Sequence, residues 1–273
     1  MPDPTDGAPI LQAKEYAAPS VFQPQNLLRE ARRQKGLASG AIPAVCLLDP
    51  DGDLVRALRA SGRARASPHW ACYHTELFLF ACGAEPMGVI GCAVGASFAV
   101  LLAEQLFASG CRLLISVTSA GQIGDNGPTP YFVLIDRALR DEGTSYHYLP
   151  PADFSPAPAV LLDPVFTALR ATGLPIRRGA TWTTDAPFRE TAAAIAAARA
   201  HGVLAVEMEA AALYAFAAAH VRDVLCFAHV TNQMAQIEGD FEKGEASGTR
   251  DVLRLVETVA TAWRRIPQTG PGP

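Results

Sequence analysis

VLAVEMEAAA, residues Val203 to Ala212, joins an apolar strand-like run to an alanine-rich helix through two carboxylates that flank a methionine. A buried carboxylate is costly unless it binds something. In α/β folds, ligands bind where a strand gives way to a helix. A carboxylate at such a point can accept two hydrogen bonds from vicinal hydroxyls. Alternatively, Glu207 and Glu209 are solvated residues of the first helical turn that complement the helix dipole.

Short β runs alternate with helical stretches on both sides of this segment. This alternation predicts an α/β fold, a single-domain three-layer α/β/α sandwich with a mixed central sheet. The predicted strands are Ala44–Leu48, Glu76–Cys82, Met87–Ala93, Arg112–Val117, Phe132–Arg137, Arg178–Thr183, Val203–Val206 and Val224–Val230. The predicted helices are Gly52–Ala60, Ser97–Ser109, Pro164–Thr172, Phe188–His201, Met208–His220 and Ser247–Arg264.

Local signals refine two of these elements. Asp185 and Pro187 precede an alanine-rich run, which indicates a cap and a first helical turn there. Gly202 follows that run, where a helix would end in the left-handed conformation. The segment Asp141–Pro158 is rich in proline and tyrosine and is interpreted as a loop that borders the site.

Length and composition indicate a soluble enzyme. The chain has 273 residues, of which 49% are hydrophobic, and a net charge of −4. Because no dense basic run is present, we expect no nucleic-acid partner, and no apolar run is long enough to cross a membrane. The cysteines show no CxxC pairing, which favours reduced residues in a cytoplasmic protein. We expect an irregular arm over residues 1–25, one domain over 26–265 and a disordered tail over 266–273.

Three ordered blocks carry a resemblance to a known family. Glu207-Met208-Glu209-Ala210 resembles the ribose-binding signature of the nucleoside phosphorylase superfamily, which includes uridine phosphorylases, purine nucleoside phosphorylases and methylthioadenosine nucleosidases. The run from Gly95-Ala96-Ser97 to Thr118-Ser119-Ala120-Gly121 is similar to the family's glycine loop, helix, strand and small-residue turn. The stretch Ala180–Phe188 is similar to the family's base-side strand and loop.

The resemblance implies a nucleoside-binding site without a cofactor, in which phosphate is a possible co-substrate. Glu209 is expected to hold the ribose diol, with Met208 packed against the sugar. Glu207 is either a second ribose ligand or a support for the local backbone. Gly95 belongs to the glycine loop, and Ser119 matches a position that can contact phosphate or ribose.

Three positions that carry phosphate-binding arginines in the family read Gly52, Pro68 and Ser116 here. Arginine forks are the usual ligands of phosphate. The nearby run Asp49-Pro50-Asp51-Gly52-Asp53 is acidic and is expected to repel phosphate. Substitute cations lie at Arg189, Arg177 and Arg178, and His69 and His74 could donate if protonated. For all except Arg189 the sequence favours ordinary surface or half-buried residues, whereas for Arg189, beside the expected base pocket, the two interpretations are balanced.

The base side of the site is also altered. Asn232 stands where purine-acting members carry an acid, and an amide cannot act as a general acid. Asp185 is the remaining candidate to orient or protonate the base, although it also fits a helix cap. Phe188 is expected to stack on the base, whereas Trp182 is interpreted as core packing.

Two functions from different classes fit these residues. The first is cleavage of the N-glycosidic bond of a nucleoside or nucleoside-like substrate, with weak phosphate dependence or hydrolysis because the arginines are missing. The second is a non-catalytic nucleoside-binding or sensing module. The resemblance further implies a homo-oligomer, a dimer or an assembly of dimers, in which Trp70–His74 reaches the neighbouring subunit's site.

Overall fold

A computed structural model describes residues 8–83, 85–124, 126–234 and 238–267. Strands occupy much of the described chain, and each of the eight strands expected from the sequence is present. Their bounds are β1 Val45–Asp49, β2 Ala64–Ala66, β3 Phe78–Cys82, β4 Glu85–Gly91, β5 Leu113–Gln122, β6 Tyr131–Asp141, β7 Phe154–Pro156, β8 Ile176–Thr184, β9 Val203–Glu207 and β10 Asp223–Asn232.

The strands form one mixed sheet in the order β10-β6-β8-β9-β5-β1-β4-β3-β2, with β7 paired to β6. Strands β4, β1, β5 and β10 run parallel to one another, as do β6, β8 and β9. Strand β10 also pairs with β5, so that five strands close into a ring. The carboxyl ends of β1, β5 and β10 therefore meet at one edge of the sheet, where α/β proteins place their ligands.

The helices divide into two groups, which confirms the layered α/β class. Helix α3 packs on α1 and α6, whereas α7 packs on α2 and α4. Their bounds are α1 Pro24–Lys35, α2 Asp53–Ala60, α3 Ala96–Ala108, α4 Ala159–Arg170, α5 Ala192–Ala200, α6 Ala210–His220 and α7 Thr249–Arg265.

Helix α6 runs through the core directly after the quoted carboxylates. Its residues from Ala210 to Ala217 are all buried, as expected of a helix that is apolar on every face. The Tyr214 hydroxyl donates to the Ile135 carbonyl at 2.6 Å and accepts from the Cys226 amide at 3.0 Å. Helix α6 is thereby fixed to β6 and β10, and the turn that precedes it is held in a defined position.

Three helices differ from the sequence prediction. Helix α1 was not predicted, because only Leu28 and Ala31 are buried along it and the apolar pattern is weak. Helix α4 begins five residues before Pro164, since its buried leucines outweigh the hydrogen bond that proline cannot donate. Helix α5 begins at Ala192 because the Thr191 hydroxyl accepts from the Ala194 amide at 3.2 Å.

The remaining expectations concern loops and chain ends. Strand β2 and strand β7 are three-residue elements too short to show a pattern, and β7 lies inside the segment expected to be a loop. Gly202 follows α5 with a φ of 73°, as predicted. In the expected N-terminal arm, Pro9–Leu11 forms a 3₁₀ turn, and α1 begins at Pro24. Residues 1–7 and 268–273 lie outside the described chain, whereas Ile266 directly follows α7.

Candidate active site

Glu207 ends β9 and is buried, with 3% of its surface exposed. Its Oε1 atom accepts from the hydroxyls of Thr181 at 3.1 Å and Thr183 at 2.5 Å, both on β8. Its Oε2 atom accepts from the amides of Glu209 and Ala210, each at 2.7 Å. Burial raises the pKa of Glu207, and these donors oppose the rise. With four donors the carboxylate is saturated, so Glu207 stabilises the strand-to-helix turn.

Glu209 is equally buried but is not saturated. Its Oε1 atom accepts from the Gly95 amide at 2.7 Å, and its side chain is 1% exposed. Its Oε2 atom is buried and has no hydrogen-bond partner within the described residues. Because both Glu207 and Glu209 are buried, the interpretation that they are solvated first-turn residues is wrong. A buried carboxylate oxygen without a hydrogen-bond donor is the feature expected of a ligand-binding carboxylate.

The protonation of Glu209 reflects this environment. Burial raises its pKa to about 8, and the negative charge of Glu207 adds to the effect. The Gly95 amide and the nearby Thr118 hydroxyl oppose the rise, whereas the charge of Asp51 adds to it. A ligand that donates hydrogen bonds to Oε2 would favour the ionised form.

Gly95 is placed to serve Glu209 by its backbone conformation. Its φ is 93°, which L side chains rarely adopt, and it directly precedes helix α3. This conformation directs the amide of the β4–α3 loop to the carboxylate at the start of α6. The glycine loop and the Glu207–Glu209 turn are therefore in direct contact.

Asn232 lies at the carboxyl end of β10, close to Gly121. A Cβ atom at Gly121 would lie 3.4 Å from the Asn232 Oδ1 atom and 2.5 Å from the Met234 sulfur, so the position leaves no room for a side chain. The Oδ1 atom accepts from the Met234 amide at 2.9 Å, and Nδ2 donates to the Thr231 hydroxyl at 3.1 Å. Met208 is half-buried in the turn between the two glutamates.

Ser119 is hydrogen-bonded to a carboxylate of its own chain. The Ser119 amide donates to Oδ2 of Asp51 at 3.0 Å, and its hydroxyl donates to Oδ1 at 2.9 Å. The Lys243 ammonium lies 3.2 Å from Oδ2 of the same carboxylate. Three donors from two distant segments therefore converge on Asp51, in the way that protein groups surround a bound oxyanion.

A second carboxylate completes this charged cluster. Asp53 accepts from Lys243 and from Arg56, each at 2.5 Å. Although burial opposes it, hydrogen bonding to Lys243 and Arg56 lowers the pKa of Asp53. Burial would lower the pKa of Lys243, but Asp53 and Asp51 outweigh burial and raise it. The acidic run after β1 is thus partly neutralised from within the chain.

Asp51, Ser119 and Lys243 line one pocket, and two further titratable groups line it as well. Asp49 is buried and accepts from the Val55 amide at 2.9 Å, and burial raises its pKa to about 6. His229 stacks on Phe132 with ring centroids 4.4 Å apart. Burial, aided by the Lys243 charge, lowers the pKa of His229 to about 4, so that its imidazole is neutral at pH 7.

Three residues expected on the base side, Asp185, Phe188 and Arg189, lie at the surface of the chain, whereas Asn232 is buried. Asp185 does not cap helix α5 as predicted; its carboxylate accepts from the Gly143 amide at 2.9 Å, because a 3₁₀ turn over Pro187–Arg189 separates it from the helix. Phe188 is 99% exposed and Arg189 is also exposed. Asp185 nevertheless lies two residues after Thr183, which binds Glu207.

The other suggested cations have ordinary roles. Arg178 pairs with Asp163 at 2.6 Å, and Arg177 lies over the ring of Tyr131 at 4.4 Å. His69 is half-buried and His74 is exposed, and both lie in the loop before β3 rather than in a strand.

The aromatic residues separate into core and surface. Trp182 is 4% exposed and packs in a hydrophobic cluster, which confirms its interpretation as core packing. Trp70, Ala71 and Cys72 are buried in their own protomer, so this part of the segment expected to reach a neighbour does not project outward. Only the Tyr73 and His74 end of that segment is exposed.

Sequence reasoning missed the residues that organise this site. Lys243 was not considered as a cation, because it is separated from Asp53 by 190 residues and stands in no motif. Asp51 was identified only as a source of repulsion. The signal that could have indicated Lys243 is the acidic run itself, since partly buried carboxylates need a cation or another donor nearby.

The family of this chain is shown by its similarity to known proteins. A profile described as the Phosphorylase superfamily matches residues 36–261. The chain belongs to the phosphorylase superfamily. The match covers β1 to β10 and every residue of the Glu209 and Asp51 clusters.

Individual members of this superfamily are more distant. The chain is 32% identical over 123 residues to the DeoD-type purine nucleoside phosphorylases of Bacillus cytotoxicus and Bacillus cereus, which covers 45% of the chain and 52% of each relative. The chain thus matches about half the length of these relatives. Uridine phosphorylase from Vibrio fischeri superposes with a TM-score of 0.68 at 18% identity, over 84% of this chain and 95% of that one. This likeness supports the shared fold.

The described residues contain neither a cluster suited to a metal ion nor a helix suited to cross a membrane. No group of three or more histidine, cysteine, aspartate or glutamate side chains there is arranged to hold a metal ion. None of the helices in the described ranges combines the length and apolar character needed to cross a membrane.

Proposed function

We propose that this phosphorylase-superfamily protein cleaves the N-glycosidic bond of a nucleoside or nucleoside-like compound, with water as the favoured nucleophile. The observation that carries the proposal is the buried Oε2 atom of Glu209, which has no partner among the described residues while Oε1 is held by Gly95. A vicinal diol would supply the missing donors. Both the superfamily and the position at the carboxyl edge of the sheet favour a ribose there.

The sugar is proposed to be held between two surfaces. Glu209 would accept hydrogen bonds from the ribose hydroxyls, and half-buried Met208 would pack against the ring. Glu207 would not contact the sugar, because its four acceptor positions are used within the chain. Its role is to hold the amides of Glu209 and Ala210, and through them the position of the ribose ligand.

The choice of nucleophile rests on the cluster around Ser119. The phosphate-binding arginines expected from the family are absent, and the Ser119 amide and hydroxyl are engaged by Asp51. Asp49, Asp51 and Asp53 also place negative charge there, which disfavours a phosphate dianion. In the proposed reaction, water adds to the anomeric carbon, the bond from that carbon to the base nitrogen breaks, and the base leaves with a proton. The products are a free base and a free sugar, and no cofactor takes part.

A second function is favoured by the base side. Both ends of the Asn232 amide are hydrogen-bonded within the chain, and Asp185 is an exposed carboxylate bound to Gly143. Asp185 is the acid that the sequence offered for the leaving base, and its exposure argues against that role. A non-catalytic nucleoside-binding module would retain Glu209 and need no such acid.

A nucleoside panel separates these functions. Release of free base is measured with and without phosphate, and melting temperature is measured with each nucleoside. Base release that persists in phosphate-free buffer supports hydrolysis. Ligand-induced stabilisation without base release would replace the enzyme by the binding module. Turnover that requires sub-millimolar phosphate would contradict the proposed nucleophile and turn attention to Arg189 or to an arginine from another subunit.

We also propose that the protein is a homo-oligomer, a dimer or an assembly of dimers. Phe188 is 99% exposed beside the proposed base side, and such an apolar side chain would be covered by a neighbouring subunit or by a bound base. Light scattering that gives the mass of one chain at assay concentration would contradict this state.

A further inference from the structure

We infer that Ser119 and Lys243 form a binding cradle for a small oxyanion, and that the Asp51 side chain occupies it and thereby excludes phosphate. This role deepens the proposed function, on which it rests, because it names the residue that sets the choice between water and phosphate.

The donor geometry is the first ground. The amide and hydroxyl of Ser119 donate to different oxygens of the Asp51 carboxylate, at 3.0 and 2.9 Å. Lys243 contributes a positive charge at 3.2 Å. An amide, a hydroxyl and an ammonium that meet on one oxyanion would serve a phosphate or sulfate as well as a carboxylate.

The separation of these groups along the chain is the second ground. Asp51 lies in the β1–α2 loop, Ser119 lies in β5, and Lys243 lies in the segment before α7. Only Asp51 is an acceptor in this set. Its truncation would leave both donors near the cradle, because Ser119 is held in β5 by its pairing with β10 and Lys243 is also bound to Asp53.

The position relative to the sugar site is the third ground. Ser119 follows Thr118, and both line one pocket with Asp51 and Lys243. The charge of Asp51 also reaches Glu209, where it contributes to the raised pKa. The cradle is therefore close to the residue proposed to hold ribose.

Asp53, the first residue of α2, provides a matched control. It is an aspartate bound to the same lysine at 2.5 Å, but it accepts its other hydrogen bond from Arg56 rather than from Ser119. Asp53→Ala removes the same charge as Asp51→Ala without removing the occupant of the cradle. The two variants thus separate a specific opening of the cradle from a general loss of negative charge.

Calorimetric titration with inorganic phosphate tests this role, with chloride used to match ionic strength. The proteins are the parent, Asp51→Ala, Asp53→Ala and the double variant Asp51→Ala/Lys243→Met. We expect Asp51→Ala to bind phosphate at least about tenfold more tightly than the parent or Asp53→Ala, and we expect the double variant to lose the gain. Equal gains in Asp51→Ala and Asp53→Ala would overturn the inference, as would tight phosphate binding by the parent.

Controls separate the change in phosphate affinity from changes in folding and in nucleoside cleavage. Circular dichroism and thermal melting establish that each variant is native, and Asp51→Ser serves as a second truncation if Asp51→Ala does not fold. A native truncated variant that gains no phosphate affinity refutes the cradle. Because binding is measured without nucleoside, a gain in a protein that cleaves no nucleoside would support the cradle while the proposed function failed.

Discussion

Exchange of each buried glutamate for glutamine separates the supporting carboxylate from the ligand-binding one. Glu207 and Glu209 are two residues apart and 3% and 1% exposed, so Glu207→Gln and Glu209→Gln make the same chemical change in closely similar surroundings. They differ in hydrogen bonding. Glu207 accepts four hydrogen bonds from the chain, whereas Glu209 accepts one through Oε1 and none through Oε2 within the described residues.

Glu207→Gln is expected to destabilise the fold. The oxygen of the new amide can stay with the amides of Glu209 and Ala210, whereas its NH₂ group turns towards Thr181 and Thr183, whose hydroxyls must rotate to accept. The hydrogen bonds to the charged carboxylate are lost and the two buried hydroxyl hydrogens lose their acceptor, at a cost of about 2–5 kcal/mol in the free energy of unfolding. For a chain of this size the loss corresponds to a melting temperature lower by roughly 5–15 °C.

Glu209→Gln is expected to keep or increase stability while nucleoside binding is lost. The amide oxygen can still accept from Gly95, and the variant has no carboxyl to ionise. Because the folded-state pKa of about 8 lies above the usual value of 4.5, the wild-type contribution to stability falls as pH rises through that window. The stability of the variant relative to the wild type should therefore increase with pH, by at most about 5 kcal/mol above pH 8.

The assay is thermal unfolding of both variants between roughly pH 5 and pH 9, a range that spans the Glu209 titration, together with nucleoside titration. Equal destabilisation by the two exchanges would refute the division of roles. Unchanged nucleoside cleavage by Glu209→Gln would remove the ribose assignment altogether.

Three further predictions follow from individual contacts. Nucleoside affinity should rise with pH by up to about tenfold per unit until pH reaches about 8, since hydrogen-bond donors on the ribose favour ionised Glu209. Calorimetry should show proton release on binding, and a pH-independent affinity would contradict this coupling. Lys243→Met should lower the free energy of unfolding by about 1–3 kcal/mol at pH 7, and the deficit should shrink as Asp53 becomes protonated at low pH, which denaturant titration at two pH values would measure. Tyr214→Phe should lower the free energy of unfolding by about 1–3 kcal/mol without altering nucleoside affinity, because it leaves the Cys226 amide and the Ile135 carbonyl without their shared hydroxyl. An unchanged melting temperature would refute this role.

The sequence predicted the main elements of the sheet because their apolar runs are long enough to show a pattern. Every predicted strand and most helices are present with small shifts at their ends. Helix α1 and the short strands β2 and β7 were missed because few of their residues contribute to the core. Helix α5 was misplaced because Pro187 starts a 3₁₀ turn rather than the helix, and the local sequence does not distinguish these two uses of proline.

The candidate site was predictable where its residues are adjacent in the chain. The turn from Glu207 to Ala210 carries its own signature, and the partnership of Glu209 with Gly95 agrees with the order of the motifs. The division of labour between Glu207 and Glu209 was not predictable, because it depends on Thr181 and Thr183 of a neighbouring strand. Lys243 was missed for the same physical reason, since only the folded chain brings it to Asp51.

The sugar product of nucleoside cleavage tests the central claim most directly. The protein is incubated with a cleaved nucleoside in millimolar phosphate, and free ribose, ribose 1-phosphate and free base are quantified together. With Asp51 bound to Ser119, we predict free ribose in an amount equal to the free base, at a rate that does not change when phosphate is omitted. Ribose 1-phosphate as the main product, with no cleavage in phosphate-free buffer, would contradict the account.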